Sequence, residues 1–381
     1  MKIAVVGAGL MGRAVVFDLA HNPDVGKIGL YDIDLRQARH VAGAFGGGKT
    51  VAGRLDAGDK TAVARCFKGF DAVVSAVTYR YNAGLAKAAI RNGAHFVDMG
   101  GNNDVVAEEF TLHGAAKRAG VVVTPDCGLA PGMVSVIAAG DLRKFDRPDS
   151  LFIRVGGLPQ KPKPPLEYQM VFSAEGLVNE YTEPVVAVRN GKKIIIDPMT
   201  EIERLTFRGL GTFEAFATSG GISTLPKTYG RVLRNIDYKT IRFPGHCAKF
   251  KTMLDLGLGE PGLIDVDGVR VSPRSAFKKV LDNRLTFGEP DMVLVRIVTE
   301  GVVGDRRRRQ VSEIVDYYDR RTGLTAMMRC TAFPAAIIAA MAASGKIAAR
   351  GVMAQETAVD PDFFERELAA RKINVSRRWM K

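Results

Sequence analysis

Three closely spaced glycines near the start of the chain have the spacing of a dinucleotide-binding loop. They stand in VVGAGLMG as Gly7, Gly9 and Gly12, directly after a strand-like run and at the head of a helix-like one. The first glycine permits a tight turn, the second lets the backbone approach a pyrophosphate, and the third lets the helix pack against the strand. Unpaired N–H groups at the helix N-terminus then favour the anion. The predicted cofactor-binding loop comprises Gly7, Ala8, Gly9, Leu10, Met11 and Gly12.

An acidic residue further along the chain favours NAD as this dinucleotide. Asp32 ends the second strand-like run, IGLYD, at the point where a carboxylate binds the ribose hydroxyls and repels the extra phosphate of NADP. Arg36 lies close enough in sequence to keep NADP open. FAD uses the same glycine spacing, and a glycine-rich turn can also exist without a ligand. We predict NAD as the cofactor.

Further candidates end the next two strand-like runs. Ligands of a parallel α/β sheet bind at the carboxyl ends of its strands. This rule places Asp56 near the adenine and Ala76 and Val77 beside the cofactor. Tyr79 follows immediately and is a candidate for binding the substrate.

Two carboxylates are the candidate catalytic groups of the same sheet edge. Asp98 ends HFVD and Asp126 ends VVVTPD, so both are predicted beside the reacting end of the cofactor. Either could instead cap a helix. Their shared position favours the catalytic interpretation.

The elements that hold these residues alternate between strand and helix over the first 130 residues. This rhythm predicts an α/β fold, a Rossmann-type doubly wound parallel sheet with helices on both faces. After CGLAPGM the strand candidates lengthen, and one pair is joined by a hairpin turn at Asn190-Gly191. The pattern predicts a Rossmann domain of residues 1–130 together with 323–381, and an inserted α+β domain of residues 131–322.

The cysteine and histidine content gives no sign of a metal centre. Four cysteines lie far apart without CxxC spacing, and the chain has five histidines. Such a set predicts neither a disulfide framework nor a zinc site. We expect no metal, and reduced thiols in a cytoplasmic protein.

Charge and hydropathy limit the classes of partner. The net charge is +13, and clustered Lys and Arg bind nucleic-acid phosphates. The densest cluster, residues 305–309, lies between two strand-like runs, which predicts a solvated hairpin tip. The most apolar stretch, residues 331–351, is interrupted by Pro334 and by a Ser-Gly-Lys turn before it reaches spanning length. We expect no nucleic-acid partner and no membrane span.

Several longer motifs resemble those of one known family. VVGAGLMG, DAGD, DCGLAPGM, VGGLPQKPKPPLEYQMVFSAEGLVNEYT, TSGGISTL, YKTIRFPGH and TAMMRCTAFPAA together are similar to the saccharopine dehydrogenase family, above all to those members that oxidise the side-chain amine of lysine. The similarity covers nearly the whole chain. Saccharopine-reducing members carry Asp before Pro-Gly and, in fungi, Cys before GGLP, whereas this chain has Ala130 and Val155.

The resemblance implies an NAD-dependent oxidation of the ε-amine of L-lysine, which yields allysine and ammonia; allysine then cyclises to piperideine-6-carboxylate. It also implies a central α+β domain that binds substrate and forms a homodimer. Saccharopine or carboxynorspermidine remains open as the substrate. A protein that senses NAD without catalysis is a further alternative.

An amine yields hydride only from its neutral form, and a free lysine amine has a pKa of about 10.4. Desolvation and a general base near the reacting carbon are therefore required. Asp98 and Asp126 are the candidates for attracting the amine or stabilising the iminium.

Residues of the inserted domain are candidates for the rest of the substrate. A carboxylate requires a guanidinium or a set of N–H donors. Arg242 suits the first, and Thr224 with the preceding Ser-Gly-Gly the second. Glu167 and Tyr168 could bind the polar end of the substrate.

His246 is the candidate proton-transfer group, since its ordinary pKa of about 6.5 permits transfer at neutral pH. A hydrogen-bonded structural role is the alternative. The neighbouring Cys247 is not expected to act as a nucleophile, because hydride transfer needs no covalent intermediate.

Overall fold

The computed structural model describes residues 1–380, which divide into two compact units. The first contains Met1–Lys144 and Met328–Val375, and the second contains Phe145–Met327 and the C-terminal strand. These limits differ from the predicted 131–322, because the apolar helix Met133–Leu142 packs with the first unit. The roles assigned to the two domains remain predictions.

Within residues 1–380 the chain forms the following strands: β1 Lys2–Val6, β2 Lys27–Asp32, β3 Thr50–Arg54, β4 Ala72–Ser75, β5 His95–Asp98, β6 Val122–Thr124, β7 Arg147–Pro159, β8 Val185–Arg189, β9 Lys192–Ile196, β10 Glu203–Phe207, β11 Gly211–Ala217, β12 Asn235–Arg242, β13 Ile264–Val266, β14 Val269–Val271, β15 Asp291–Val303, β16 Arg306–Tyr317, β17 Gly351–Val352 and β18 Ser376–Met380.

Its α-helices are α1 Leu10–His21, α2 Leu35–Phe45, α3 Lys60–Cys66, α4 Asn82–Arg91, α5 Asn103–Phe110, α6 His113–Arg118, α7 Met133–Leu142, α8 Ala174–Thr182, α9 Leu225–Tyr229, α10 His246–Asp255, α11 Pro273–Leu285, α12 Ala326–Ala343, α13 Gln355–Ala358 and α14 Pro361–Ala370.

The first unit is built on a seven-stranded parallel sheet with the order β17-β6-β5-β4-β1-β2-β3. Its central strands are short, apolar and buried, as strands covered on both faces must be. The order reverses between β1 and β4, and ligands of such sheets bind outside the carboxyl ends at this point. The predicted Rossmann-type parallel sheet is confirmed.

Helix α12 differs from its prediction. Pro334 lies inside the helix and does not end it, because burial of the apolar residues on both sides outweighs the roughly 3 kcal/mol cost of an internal proline. By length and composition alone this helix could cross a membrane, but 89% of its window is buried inside the protein. A buried core helix accounts for both properties.

The second unit is built on a nine-stranded mixed sheet with the order β10-β11-β12-β7-β15-β16-β18, and β8 and β9 extend it from β12. Strands β8 and β9 form the predicted hairpin, with Arg189 opposite Lys192. Asn190 and Gly191 between them have φ of 51° and 75°, which a two-residue primed turn requires. Strands β15 and β16 form a hairpin, but its turn is at residues 304–305, so the arginines predicted at the tip belong to the paired strand β16.

Helices α8, α10 and α11 supply an aromatic core beside this sheet. Tyr181, Phe216, Phe250 and Phe277 belong to one buried cluster. The centroids of the Tyr181 and Phe250 rings lie 4.8 Å apart, edge to face. This core fixes the strand and helix that carry the predicted substrate residues.

The last strand also differs from its prediction. The sequence pattern places 323–381 in the first domain, whereas β18 pairs antiparallel with β16 in the second sheet. Trp379 packs against Phe145 with ring centroids 5.3 Å apart. The contact of Trp379 with the buried Phe145 and the ladder to β16 hold β18 in the second unit.

Candidate functional site

The glycine loop between β1 and α1 is a close-packed turn. Gly7 has φ of 104°, a conformation that side chains other than glycine avoid, and its N–H donates to the Tyr31 carbonyl at 2.7 Å. A Cβ on Gly12 would lie 1.8 Å from the Gly7 carbonyl oxygen. Both glycines are therefore required for packing.

Gly9 and the start of α1 leave room for a ligand. A Cβ built on Gly9 meets nothing within 4 Å, and no side chain caps the N-terminus of α1. Leu10 is exposed and Met11 half-buried. Free helix N–H groups beside open space fit the pyrophosphate of a dinucleotide.

Asp32 is tied to this loop. Its carboxylate accepts hydrogen bonds from the backbone N–H of Ala8 at 2.7 Å and of Asp34 at 2.9 Å. Gln37 Nε2 donates to the Ala8 carbonyl at 3.1 Å, a contact that sequence analysis missed. The half-buried Asp32 therefore lies at the edge of the glycine loop, as a ribose-binding carboxylate does.

Ala76 and Val77 approach the same loop from β4. A Cβ on Gly7 would lie 2.6 Å from the Ala76 carbonyl oxygen and 3.0 Å from Val77. Asp56 follows the edge strand β3, where its exposed carboxylate accepts from Gly58 N–H at 2.8 Å. The structure thus brings Ala76 and Val77 against the loop, while Asp56 forms a turn at the sheet edge.

Asp98 and Asp126 are directly linked. The N–H groups of Gly100 and Asp126 donate to the Asp98 Oδ1 at 2.7 and 3.1 Å. A Cβ on Gly100 would lie 2.0 Å from the Asp126 carboxylate, and one on Gly101 would lie 2.8 Å from the Tyr79 ring. The Gly-Gly loop therefore holds Asp98, Asp126 and Tyr79 together.

A third carboxyl group, missed by sequence analysis, adjoins this pair. Glu109 of α5 is fully buried, and its carboxyl group faces that of Asp98. Burial raises the pKa of Asp98, while burial and the neighbouring Asp98 raise the pKa of Glu109 to about 11. Glu109 therefore carries a proton at neutral pH.

Arg242, at the end of β12, lies in an aromatic site of the second unit. Its Nε donates to the Tyr181 hydroxyl at 2.7 Å, and its guanidinium carbon lies 4.7 Å from the centroid of the Tyr168 ring. Its Nη2 is 3.7 Å from a Glu180 carboxylate oxygen. Tyr168 is fully buried, and its hydroxyl has no hydrogen-bond partner among residues 1–380, so its ring supports Arg242 while the hydroxyl is left unpaired.

His246 begins α10 and is fully buried. Its Nδ1 lies 2.9 Å from the Leu166 carbonyl, and its Nε2 lies 3.1 Å from the Tyr181 hydroxyl. Burial and the nearby Arg242 charge lower the pKa of His246 to about 3. A neutral ring with both nitrogens engaged orients Tyr181, and we interpret His246 as a positioning residue in place of the predicted proton-transfer group.

The Glu214 carboxylate fixes the start of α10. It accepts from the N–H groups of Gly245 at 2.8 Å and Cys247 at 2.7 Å, and so caps the helix from a neighbouring strand. Burial and the Glu214 charge raise the pKa of the Cys247 thiol to about 12. A thiolate nucleophile at this position is therefore disfavoured, as expected.

The remaining predicted substrate residues lie in separate surroundings. The half-buried Glu167 carboxylate pairs with Lys249 Nζ at 2.7 Å. Thr224 is buried at the start of α9. A Cβ on Gly221 would lie 2.4 Å from the Tyr238 ring, so this glycine is needed for packing. Within residues 1–380, no group of three or more His, Cys, Asp or Glu side chains is arranged to hold a metal.

Two family models cover almost the whole chain. Residues 3–124 match the saccharopine dehydrogenase NADP binding domain, and residues 128–373 match the saccharopine dehydrogenase C-terminal domain. The chain belongs to the saccharopine dehydrogenase family. The first unit of this family member accordingly contains a nicotinamide-nucleotide-binding domain.

Two relatives of known name share less than 30% of their aligned residues with this chain. The saccharopine dehydrogenase [NADP(+), L-glutamate-forming] of Schizosaccharomyces pombe is 28% identical over 149 residues, which cover 38% of this chain and 32% of the relative. The protein of the same name from Saccharomyces cerevisiae is 23% identical over 76% of this chain and 65% of its own length. The chain thus spans about a third and about two thirds of these relatives.

A solved structure supports the fold. The apo saccharopine dehydrogenase (L-Glu forming) from Saccharomyces cerevisiae aligns with a TM-score of 0.83 over 100% of both chains, at 19% identity. At this identity the likeness establishes the architecture, a Rossmann-type domain with a second mixed α/β part.

Proposed function

We propose that this family member is an NAD-dependent L-lysine 6-dehydrogenase. The reaction oxidises the ε-amine of L-lysine to an imine, which water converts to allysine and ammonia. The observation that carries the proposal is the linked pair of carboxyl groups, Asp98 at the end of β5 and Asp126 just after β6. A site of this charge suits a cationic amine and the positive charge that develops as the amine is oxidised.

The preference for NAD rests on Asp32. Its carboxylate is anchored by Ala8 and Asp34, so it cannot easily swing away from a phosphate on the adjacent ribose. A fixed negative charge there favours hydroxyls over the 2′-phosphate of NADP. Arg36, whose side chain is 95% exposed and lies 3.9 Å from Asp34, is turned to solvent and paired with another acid.

The chemistry requires the amine in its neutral form. The bound nicotinamide supplies the two-electron acceptor for the hydride of the ε-carbon. The carboxylates attract the ammonium group, and a carboxylate of Asp126 accepts its proton before the C–H bond breaks. The nitrogen then leaves as ammonia after water adds to the imine carbon.

Arg242 is the candidate carboxylate-binding residue of the second unit. We propose that it contacts a carboxylate of the substrate, since a guanidinium recognises a carboxylate bidentately. Tyr168 and Tyr181 hold the guanidinium in one orientation. Thr224, Glu167 and Tyr79 remain candidate substrate contacts.

The proposal is tested by following NADH formation with purified protein, L-lysine and NAD at alkaline pH, with ammonia measured in parallel. We expect lysine-dependent NADH and ammonia in equal amounts, and weaker activity with NADP. The absence of either product with lysine would refute the lysine 6-dehydrogenase assignment.

The second candidate is a saccharopine or carboxynorspermidine dehydrogenase, and the names of the relatives favour saccharopine. Saccharopine with NAD or NADP, and lysine with 2-oxoglutarate and reduced cofactor, distinguish the two. Oxidation of saccharopine without oxidation of free lysine would favour this candidate. Binding of NAD without turnover of any of these compounds would instead indicate an NAD-sensing protein.

We further propose a cytoplasmic homodimer that uses the second unit. None of the four cysteines, Cys66, Cys127, Cys247 and Cys330, forms a disulfide, which suits a reducing compartment. Sedimentation velocity of the purified protein tests the dimer. A monomer at micromolar concentration would contradict it.

A further inference from the structure

Glu109 is a buried acid to which the proposed reaction gives no separate role. It lies on α5, and neither of its carboxyl oxygens has a hydrogen-bond donor among residues 1–380. The Oδ2 of Asp98 is buried and lacks a donor in the same way. The two carboxyl groups face each other. Two carboxylates in this position cannot both be ionised, so they share a proton.

The hydrogen bonds decide where this proton resides. Asp98 Oδ1 accepts from two backbone N–H groups, those of Gly100 and Asp126, and such bonds favour the anion. Glu109 receives no comparable donor. The charged groups that act on Glu109, namely Asp98, Asp126 and Glu108, are all acidic and raise its pKa further. The proton therefore belongs to Glu109.

We propose that Glu109 is a positioning residue, an undissociated acid whose O–H donates to Asp98 and keeps Asp98 as the anion that anchors the Gly100–Gly101 loop. This inference rests on the proposed function, because Asp126 at the end of that anchor is assigned to the substrate amine. It goes beyond the function by assigning a fixed proton to a residue that does not contact substrate.

The loop geometry shows why this anchor matters. The Asp126 backbone has φ of 61°, a conformation unusual for an aspartate, and its N–H is held by Asp98. The Gly100 and Gly101 backbones leave no space for a Cβ beside Asp126 and Tyr79. If Asp98 became protonated or lost its partner, the N–H donors would lose an anionic acceptor and Asp126 would shift.

Two substitutions distinguish the effect of the Glu109 proton from the effect of the volume that its side chain fills. Glu109→Gln keeps a neutral donor of the same size, and Glu109→Leu keeps the volume without a donor. Glu108→Gln is the matched control, because Glu108 is the exposed neighbour paired with Lys87 at 2.8 Å. Kinetics with lysine and equilibrium binding of NAD are measured for each variant.

We expect kcat of Glu109→Gln and Glu108→Gln to stay within about threefold of the unsubstituted protein, since donor and charge state are retained. Glu109→Leu should lose roughly a hundredfold in kcat, the cost of a misplacement on the order of 1 Å, while NAD binding stays unchanged. Equal loss in Glu109→Gln and Glu109→Leu would overturn the positioning role, as would full activity of Glu109→Leu.

A spectroscopic measurement tests the proton without reference to catalysis or to the stability of Glu109→Leu. The infrared C=O stretch of an undissociated carboxylic acid should persist at pH 8 and be missing from Glu109→Gln. Its absence from the unsubstituted protein would refute the inference even if lysine is oxidised. Its presence would uphold the shared proton even if the true substrate is another amine.

Discussion

The Tyr181 hydroxyl accepts a hydrogen bond of 2.7 Å from Arg242 Nε. This bond, together with the face of Tyr168, fixes the plane of a guanidinium that is almost wholly buried. A guanidinium held in this way is preorganised for a carboxylate and loses little freedom on binding.

We expect Arg242→Lys to raise the KM for lysine roughly ten- to hundredfold with little change in kcat. The substituted lysine side chain keeps the positive charge but lacks the planar guanidinium that binds a carboxylate with two hydrogen bonds. A hydrogen bond to a charged group is worth about 1.5–3 kcal/mol. Arg154→Lys is the control, because Arg154 is also buried in this sheet but pairs with Asp237 at 2.5 Å. Equal effects of the two substitutions on KM would rule out a carboxylate-binding role for Arg242.

His246 should make the protein sensitive to acid. The pKa of His246 in the folded protein, about 3, lies below its ordinary value of about 6.5. Its contribution to the free energy of unfolding is therefore fully present above pH 6.5. This contribution is lost as the pH falls toward 3, because only the unfolded state then binds a proton on the ring. The slope from this group is about 1.4 kcal/mol per pH unit. In urea unfolding between pH 7 and pH 5, His246→Gln should flatten the dependence on pH.

The exposed His40 on α2 provides the control for loss of an imidazole, and His40→Gln should leave the acid dependence as it is. We also expect the dependence of kcat/KM on pH to have the same shape in the unsubstituted protein and in His246→Gln. A titration step that is present in the unsubstituted protein and missing from His246→Gln would restore the proton-transfer role.

Asp32→Asn should weaken discrimination against NADP. The amide keeps an acceptor oxygen for Ala8 N–H but removes the charge that repels the 2′-phosphate. We expect the KM for NAD to rise about tenfold and that for NADP to fall about tenfold, or about 1.4 kcal/mol each. Asp34→Asn is the control, since Asp34 caps α2 and Asn caps equally well. Unchanged cofactor preference in Asp32→Asn would show that another residue selects NAD.

Removal of one partner of the buried ion pair between Asp18 and Arg371 should destabilise the protein more than removal of both partners. Arg371 Nε and Nη2 lie 2.5 and 2.9 Å from the Asp18 carboxylate, linking α1 to α14. Arg371→Met should cost about 3–5 kcal/mol because it leaves a buried charge unpaired. The double variant with Asp18→Leu should recover part of this loss in thermal unfolding. A double variant as unstable as the sum of both singles would contradict the argument.

The residues that local pattern could predict are those whose neighbours in sequence determine their position. Gly7 and Asp32 follow strands, and the register of a parallel sheet brings strand ends to one edge. The Asn190-Gly191 hairpin is likewise determined by two adjacent residues and their φ angles. These parts of the fold and site were predictable because residues close together in sequence determine them.

Glu109, Tyr181 and His246 depend on contacts far along the chain. Glu109 stands in VAEEF, a segment typical of a solvent-exposed helix, and only the ends of β5 and β6 make it a buried acid. His246 is neutral because Tyr168, Tyr181 and Phe216, which are far from it in sequence, and Phe250 surround its ring, and no local pattern encodes these contacts. Strand β18 pairs with β16 across more than sixty residues, and its short amphipathic sequence contains no mark of that partner.

The chain leaves the first unit at Lys144 and returns to it at Met328. During synthesis, β1–β6 therefore emerge from the ribosome well before β17, which is the strand that covers the edge of β6. At ordinary translation rates the delay is roughly ten to forty seconds. An open sheet edge invites pairing with other chains, so the nascent protein passes through a period in which chaperone cover matters more than it does for the finished fold.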